Sequence, residues 1–440
     1  IIGAGPAGLS AAYYLATRGY KPTVFEKSAR PGGMMTYGIP SFKLEKTIID
    51  AEIQVLRELG VEIRCGVEVG RDVTIPQLRE QGFLAFYIAI GCQGGRLPGV
   101  PGEHAAGTDI AVHFLHEALA DENQHMDGRV VVIGGGNVAV DCARTAVRFG
   151  AEAVSMVCLE SRDTMPASKD EIAEAEEEHI EIHTGWGPKE LLQDESGHVT
   201  AVVFKKCLRT IDPETGKFAP VYDEAETITL PADHVVFAIG QAIEWGGLLK
   251  DTKVTFHRGN YPVADPLTYQ TAEADIFVGG DVYHGPKFVI DAIEEGKCAA
   301  ESLHRYVHKG ASLTIGRNRR DFVMLDKENF SVNCYDHATR QTEAVDPAVE
   351  AHSFRDARKT LTSEQVQTET ARCLGCGASW VDPNKCIGCG VCTTKCVFDA
   401  IHLKRDHPEC STMMKAEDKL KGIASMACKR LGQTLRGRKG

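Results

Sequence analysis

The chain has 440 residues, 43% of them hydrophobic and 25% charged, with a formal net charge of -12. That length allows two or three domains with substantial cores, and no apolar run reaches the roughly 20 residues that a membrane-spanning helix requires. The acidic balance argues against a general nucleic-acid binder, which needs a cationic face to displace phosphate counterions. The basic residues from Lys429 to Lys439 read as a solvated tail.

The first predicted element is a strand remnant at Ile1-Ile2 that runs into Gly3-Ala4-Gly5-Pro6-Ala7-Gly8 and opens a helix to Arg18. A strand of this kind usually has several more residues before its turn, so the protein is expected to extend upstream of Ile1. A second strand, Lys21 to Phe25, ends at Glu26, about twenty positions past the turn. From that place a carboxylate accepts hydrogen bonds from an adenosine ribose, while the helix N-terminus and backbone N–H groups receive a pyrophosphate. The unit repeats downstream. Arg129 to Ile133 is a strand, Gly134-Gly135-Gly136-Asn137-Val138 the turn, Asn137 to Phe149 the helix, and Ala153 to Leu159 a second strand ending at Glu160. The glutamates of Ser168 to His179 read as a solvated helical face.

Two apolar strands, Phe86 to Gly91 and His234 to Gly240, close on Ala-Ile-Gly and look like the crossings between the two units. The second would then be inserted in the first, which resumes near Trp245. Ile276 to Val278 is a further strand, and Gly279-Gly280-Asp281 ends it. Asp281 there can meet a ribityl or pyrophosphate oxygen, and a helix from about Phe288 to His308 can aim its positive end at a flavin ring. Residues 311 to 364 read as a charged linker wrapping the surface. The sixteen histidines read as dispersed, without a metal-type pair.

Six of the fifteen cysteines lie between Cys373 and Cys396. Cys386-x-x-Cys389-x-x-Cys392-x-x-x-Cys396 is the thiolate spacing of a bacterial 4Fe-4S cluster. In two-cluster ferredoxins the fourth cysteine crosses to the other cluster, so one or two clusters are open, two being favoured. Cys373 and Cys376 are candidate ligands, with Cys334, Cys410 and Cys428 as further choices. Zinc is the bland alternative for paired C-x-x-C motifs. Cys65, Cys92, Cys142, Cys158, Cys207 and Cys298 stand singly and read as small buried hydrophobes. Neither nucleotide unit holds the close cysteine pair that a disulfide reductase would need beside its flavin.

Gly32-Gly33-Met34-Met35-Thr36-Tyr37-Gly38-Ile39-Pro40 with Phe42 to Lys46, Val131 to Arg144, Met165-Pro166-Ala167 and Val236 to Gln241 resemble the small subunit of glutamate synthase. They resemble equally the large subunit of NADH-dependent ferredoxin:NADP oxidoreductase. The resemblance covers roughly Ile1 to Val307 and implies FAD in the first domain, a nicotinamide nucleotide in the second, and hydride passing between them. Expected FAD contacts are Gly3, Gly5, Pro6, Ala7, Gly8, Glu26, Lys27, Gly33, Met34, Gly91, Gly280 and Asp281. Those for the nicotinamide nucleotide are Gly134, Gly135, Gly136, Asn137, Val138, Glu160, Arg162 and Gly240. No general acid or base is needed.

Three departures qualify the resemblance. The relatives carry a cysteine-rich domain before the FAD domain, whereas here a ferredoxin-like segment follows it. NADP-using relatives have two arginines where this chain has Leu159 and Glu160, so NADH is expected, with NADPH kept open by Arg162. Val397 replaces the proline that usually follows the last ligand cysteine. The expected fold is α/β: an FAD domain at 1–97 and 241–310, a nicotinamide domain inserted at 98–240, a linker at 311–364, an α+β ferredoxin-like domain at 365–410 and a tail at 411–440. The expected function is a cytoplasmic NADH oxidoreductase subunit, in a hetero-oligomer, exchanging electrons with ferredoxin or another redox subunit through FAD and 4Fe-4S. A flavin-bifurcating subunit, an NADPH input subunit of glutamate-synthase type, and an electron-wire scaffold with a vestigial nucleotide site are the rivals.

Overall fold

A computed structural model describes residues 1–257, 259–317, 338–345, 353–373, 381, 386–395, 401–404, 423–424, 427–428 and 431. Chain packing divides it into two units, Ile1–Ile315 with Ser331–Cys373, and Gly316–Phe330 with Leu374–Gly440. Among the described residues no helix is long and apolar enough to cross a membrane.

In the first unit Ile2 bridges in parallel to Phe25 on one side and Ile88 on the other. The chain then turns into α1 (Pro6–Ala16). Pro6 suits the first helical turn, where the N–H it lacks would have no helical partner. β1 (Thr23–Glu26) pairs in parallel with β2 (Glu62–Cys65) across α2 (Met34–Tyr37) and α3 (Lys46–Glu58). α4 (Ile75–Glu80), capped reciprocally by Thr74 and Gln77, leads to β3 (Phe86–Ile88). β4 (Gly94–Gly95) takes the chain into a second layer of strands and helices.

That layer runs β5 (Thr108–Ile110), α5 (Ala111–Ala120), β6 (Arg129–Ile133), α6 (Asn137–Arg148), β7 (Ala153–Cys158), α7 (Lys169–Glu177) and β8 (Glu181–Thr184). β6 and β7 read as continuous apolar runs because helices and a second sheet cover both their faces. β9 (Trp186–Gln193), β10 (Val199–Ile211) and β11 (Phe218–Pro231) then form an antiparallel sheet of their own. Its inner face packs Val202 and Phe204 on the back of β6. Its hairpin turns at Asp212, whose Oδ1 accepts the amides of Glu214 and Thr215 at 2.8 and 3.2 Å. β12 (His234–Phe237) completes the parallel sheet in the order β5-β12-β6-β7-β8.

β13 (Gln241–Ala242) pairs with β4 where the chain re-enters the first layer. β14 (Ile276–Val278) lies beside β3, followed by α8 (Asp281–His284) and α9 (Val289–Val307). α9 crosses α1 on small residues: a Cβ at Gly296 would clash with the carbonyl oxygen of Ala7.

Part of the segment expected to wrap the surface, around Phe354, penetrates it. Phe354 is 7% exposed, with its ring 5.4 Å from that of Phe149 and 6.2 Å from that of Phe42. Arg148 donates to Ser353 O at 2.9 Å, Arg355 to Glu45 at 3.1 Å and Arg358 to Lys43 O at 3.3 Å. α10 (Ser363–Ala371), capped by Thr362 and Gln365, follows within the same unit. In the second unit Gly388 and Gly390 adopt left-handed φ of 65° and 79° on either side of Cys389, and α11 (Val391–Lys395) begins there.

Candidate functional site

A cavity of about 660 Å³ opens along both glycine turns of the first unit, within the usual range for small-molecule sites. From the first layer it is lined by Gly3, Gly5, Pro6, Ala7, Glu26, Lys27, Gly33, Met34, Gly91, Gly280 and Asp281, and from the second by Gly136, Asn137, Val138 and Gly240. Glu160 and Arg162 do not line it, and neither do Gly8, Gly134 and Gly135. These three glycines permit close packing behind it: a Cβ on Gly8 would strike Gly3 O, one on Gly134 would strike Ala238 O, and one on Gly135 would lie 2.9 Å from Cys158 Cβ. Glu160 sits at the same place, its Oε2 3.0 Å from that Cβ position. Arg162 is exposed and paired with Glu176 at 2.7 Å.

The donors fit dinucleotides. A Cβ on Gly136 would meet nothing within 4 Å, and one on Gly5 only Gly33 Cα at 3.9 Å. Bare backbone therefore faces open space at the start of α6 and α1, where unpaired N–H groups receive phosphate. Gly3 needs its φ of 103°, since a side chain there would enter Ala89 O. Glu26 is 7% exposed and already works structurally, accepting Ala4 N at Oε2 and Ser28 N at Oε1, each at 2.8 Å. Each oxygen keeps a second acceptor direction for a ribose hydroxyl. Burial pushes the Asp281 carboxyl up to about 6, although Lys287 N donates to it at 3.3 Å. Beside it Gly280 N and His284 both meet Glu295, which is 4% exposed.

Cys92 is 1% exposed, donates to Asp281 O at 3.3 Å, and burial pushes its thiol up to about 12. It is inert at neutral pH. Cys142 and Cys158 are likewise buried.

Two sequence expectations are corrected. The acidic helix is not simply a solvated face, because Glu171, Glu174 and Glu178 turn inward to Lys43, Arg144 and Arg148. The histidines are not all dispersed. His304 and His308 stand one turn apart on and just beyond α9, rings 4.5 Å apart, and both reach Tyr20 Oη. Their H-x3-H spacing was the available signal. Lys43 and Asp141, which also line the cavity, were visible only as letters within family motifs.

Cys386 and Cys389 are exposed on the curled loop of the second unit, Cys392 is exposed on the first turn of α11, and Cys373 and Cys428 are exposed as well. Cys334, Cys376, Cys396 and Cys410 lie outside the described residues. Among the described residues no three potential metal ligands gather together. Thiolates repel one another until a metal joins them, so cluster assembly and loop closure are coupled. The three-cysteine donor set on a glycine-curled loop and the helix it opens fits an iron–sulfur cluster chemically.

Residues 1–296 match the family model described as pyridine nucleotide-disulphide oxidoreductase, and residues 379–402 match that of the 4Fe-4S binding domain. The NADP(+)-dependent formate dehydrogenase subunit beta of Moorella thermoacetica is 36% identical over 385 residues, covering 86% of this chain and 54% of that protein. The chain thus spans about half of that relative's length. The glutamate synthase [NADPH] small chain of Halomonas elongata is 36% identical over 324 residues, covering 70% of this chain and 67% of that one. Among solved structures, the Mycobacterium tuberculosis oxidoreductase FprA superposes with a TM-score of 0.59 at 17% identity, over 70% of this chain and 83% of that one.

Proposed function

Because the chain belongs to the pyridine nucleotide-disulphide oxidoreductase family, we propose that it is the electron-input subunit of a larger redox enzyme, exchanging electrons between NADH and a protein partner. At the coarser level it is a flavoprotein oxidoreductase chain of the FAD- and NAD(P)-binding type with a 4Fe-4S segment. The observation that carries the finer reading is the single cavity lined by both glycine turns, which lets two dinucleotides meet. FAD, when bound, supplies the conversion between two-electron hydride chemistry and one-electron transfer. The chain's own part is to bind and orient. Gly3, Gly5 and the start of α1 hold one pyrophosphate, Glu26 an adenosine ribose, and Asp281 the ribityl or pyrophosphate end. Gly136, Asn137 and Val138 hold the second nucleotide.

NADH is favoured because Glu160 stands at the end of β7 beside the glycine turn, where a carboxylate suits a free 2′-hydroxyl and opposes a 2′-phosphate. Arg162, the nearby cation, is engaged by Glu176. NADPH is the second reading, favoured by the nucleotide in the names of the two relatives. Disulfide reduction is not proposed: the thiol nearest Asp281, that of Cys92, is buried and unreactive. The ligands of one cluster are proposed as Cys386, Cys389 and Cys392, with Cys396, Cys373 and Cys376 helping to hold a second. A cytoplasmic location goes with that reading, since ligand thiols stay reduced there. Anaerobically purified protein should be yellow, release FAD on denaturation, and bleach with NADH at higher kcat/KM than with NADPH. A preference for NADPH overturns the nucleotide assignment, and a colourless, flavin-free protein overturns the function.

A further inference from the structure

The cavity carries one charge cluster that neither glycine turn accounts for. Lys43 stands in the turn between α2 and α3, in the flavin half, yet its ammonium reaches the nicotinamide half. There it pairs with Asp141 of α6 and Glu171 of α7. The three side chains are only 16%, 11% and 21% exposed, and all three line the cavity with Gly136 and Asn137. Asp141 lies four residues, one helical turn, beyond Asn137. Its carboxylate therefore sits just behind the helix end that would receive a pyrophosphate. Two carboxylates so placed repel an anionic ligand, and in a partly desolvated site that repulsion is little screened. Burial pushes Asp141 up to about 6 even with the lysine beside it.

Two cations close to Lys43 are committed elsewhere. Arg144 pairs with Glu174 and Glu178, and Lys46 donates to the carbonyls of Met35 and Ile39. The backbone at Lys43 is fixed rather than free. Phe42, 5% exposed, anchors it beneath the Arg148 guanidinium, 3.9 Å from the ring centroid, and Arg358 holds its carbonyl.

We propose that Lys43 is a positioning residue of the nicotinamide-nucleotide site: a counter-charge supplied by the flavin half that lets the other half accept a pyrophosphate beside Asp141 and Glu171. The proposal rests on the reading that a nicotinamide nucleotide occupies this cavity. It makes nucleotide affinity conditional on the two halves staying packed, because the neutralising charge belongs to the half that holds the flavin.

The test uses the full FAD-loaded chain, NAD+ binding by titration calorimetry, and FAD content by absorbance. Lys43→Met should raise the Kd for NAD+ about tenfold or more while FAD per chain stays at the wild-type level, and Lys43→Arg should restore most of the affinity. Glu171→Gln removes one negative charge and keeps the lysine, so its Kd should fall. A merely structural ion bridge gives a different pattern, in which breaking it from either side weakens binding. The proposal is overturned if Lys43→Met binds NAD+ as the wild type does, or if Glu171→Gln binds more weakly or unchanged. The second criterion decides even if the lysine variant does not fold. A wild-type chain that binds neither NAD+ nor NADP+ removes the underlying reading of the cavity instead.

Discussion

Asp281 is placed where burial works against its charge. Its folded carboxyl titrates near 6 against an ordinary value of 3.8, so the folded state binds more protons. Its contribution to stability is present below pH 4 and is lost as pH rises through 6. Asp281→Asn should therefore raise the melting temperature of the FAD-free chain by about 1–2 °C at pH 8, an effect of about 1 kcal/mol, and by less at pH 5. The same variant should retain FAD more weakly, which flavin-to-protein absorbance would show. A variant that melts lower at pH 8 would mean the carboxylate is stabilising despite its burial. At the second nucleotide turn, replacing Leu159 and Glu160 together by arginine should move the ratio of kcat/KM values toward NADPH by about tenfold or more. An unchanged ratio would separate Glu160 from nucleotide choice.

Among the elements, the strap around Phe354 makes the strongest claim. Its ring fills the space between Phe42 and Phe149, so Phe354→Ala should cost about 3–5 kcal/mol in urea unfolding, while Phe354→Leu should cost under about 1.5 kcal/mol. A loss below about 1 kcal/mol for alanine would mean that the strap only rests on the surface. The sequence announced the elements that carry periodic or fingerprint signals. The strands around Val131 and Phe277, both glycine turns, α6 and α9 follow from apolar runs ended by Gly and an acid. The strap did not show, because one phenylalanine among charged residues has no period, and its burial is decided by partners far away in the chain. The β9–β11 sheet was missed for a different reason. Its β-branched run Val199-Thr200-Ala201-Val202-Val203-Phe204 and the Asp212-Pro213-Glu214-Thr215-Gly216 turn are readable, but they fall inside a unit whose helices and parallel strands dominate the pattern. Of the cavity, the fingerprint glycines and the acids Glu26 and Asp281 were readable as motifs. The pairing of Lys43 with Asp141 depends on two layers coming together, which no local window contains.

For the molecule as a whole, the proposed route from nucleotide to flavin to cluster can be cut at one point. Cys389→Ala should lower the iron content of anaerobically purified protein, where about four or eight irons per chain are expected. Flavin reduction by NADH should persist, because it lies upstream, while electron delivery to the partner collapses. Undiminished delivery from a cluster-free variant would mean that the flavin reduces the partner directly. The strap has a last consequence, in the order of events at the ribosome. The β5–α6–β7 layer is one continuous stretch and can fold as it emerges, but Glu45 and Lys43 meet Arg355 and Arg358 across 310 and 315 positions. At about 5–20 residues per second, the aromatic surface that Phe149 completes with Phe42 waits roughly 10–40 s for Phe354. Throughout that interval the nascent chain presents a sticky, half-finished core, which the strap ahead of the iron–sulfur segment then seals.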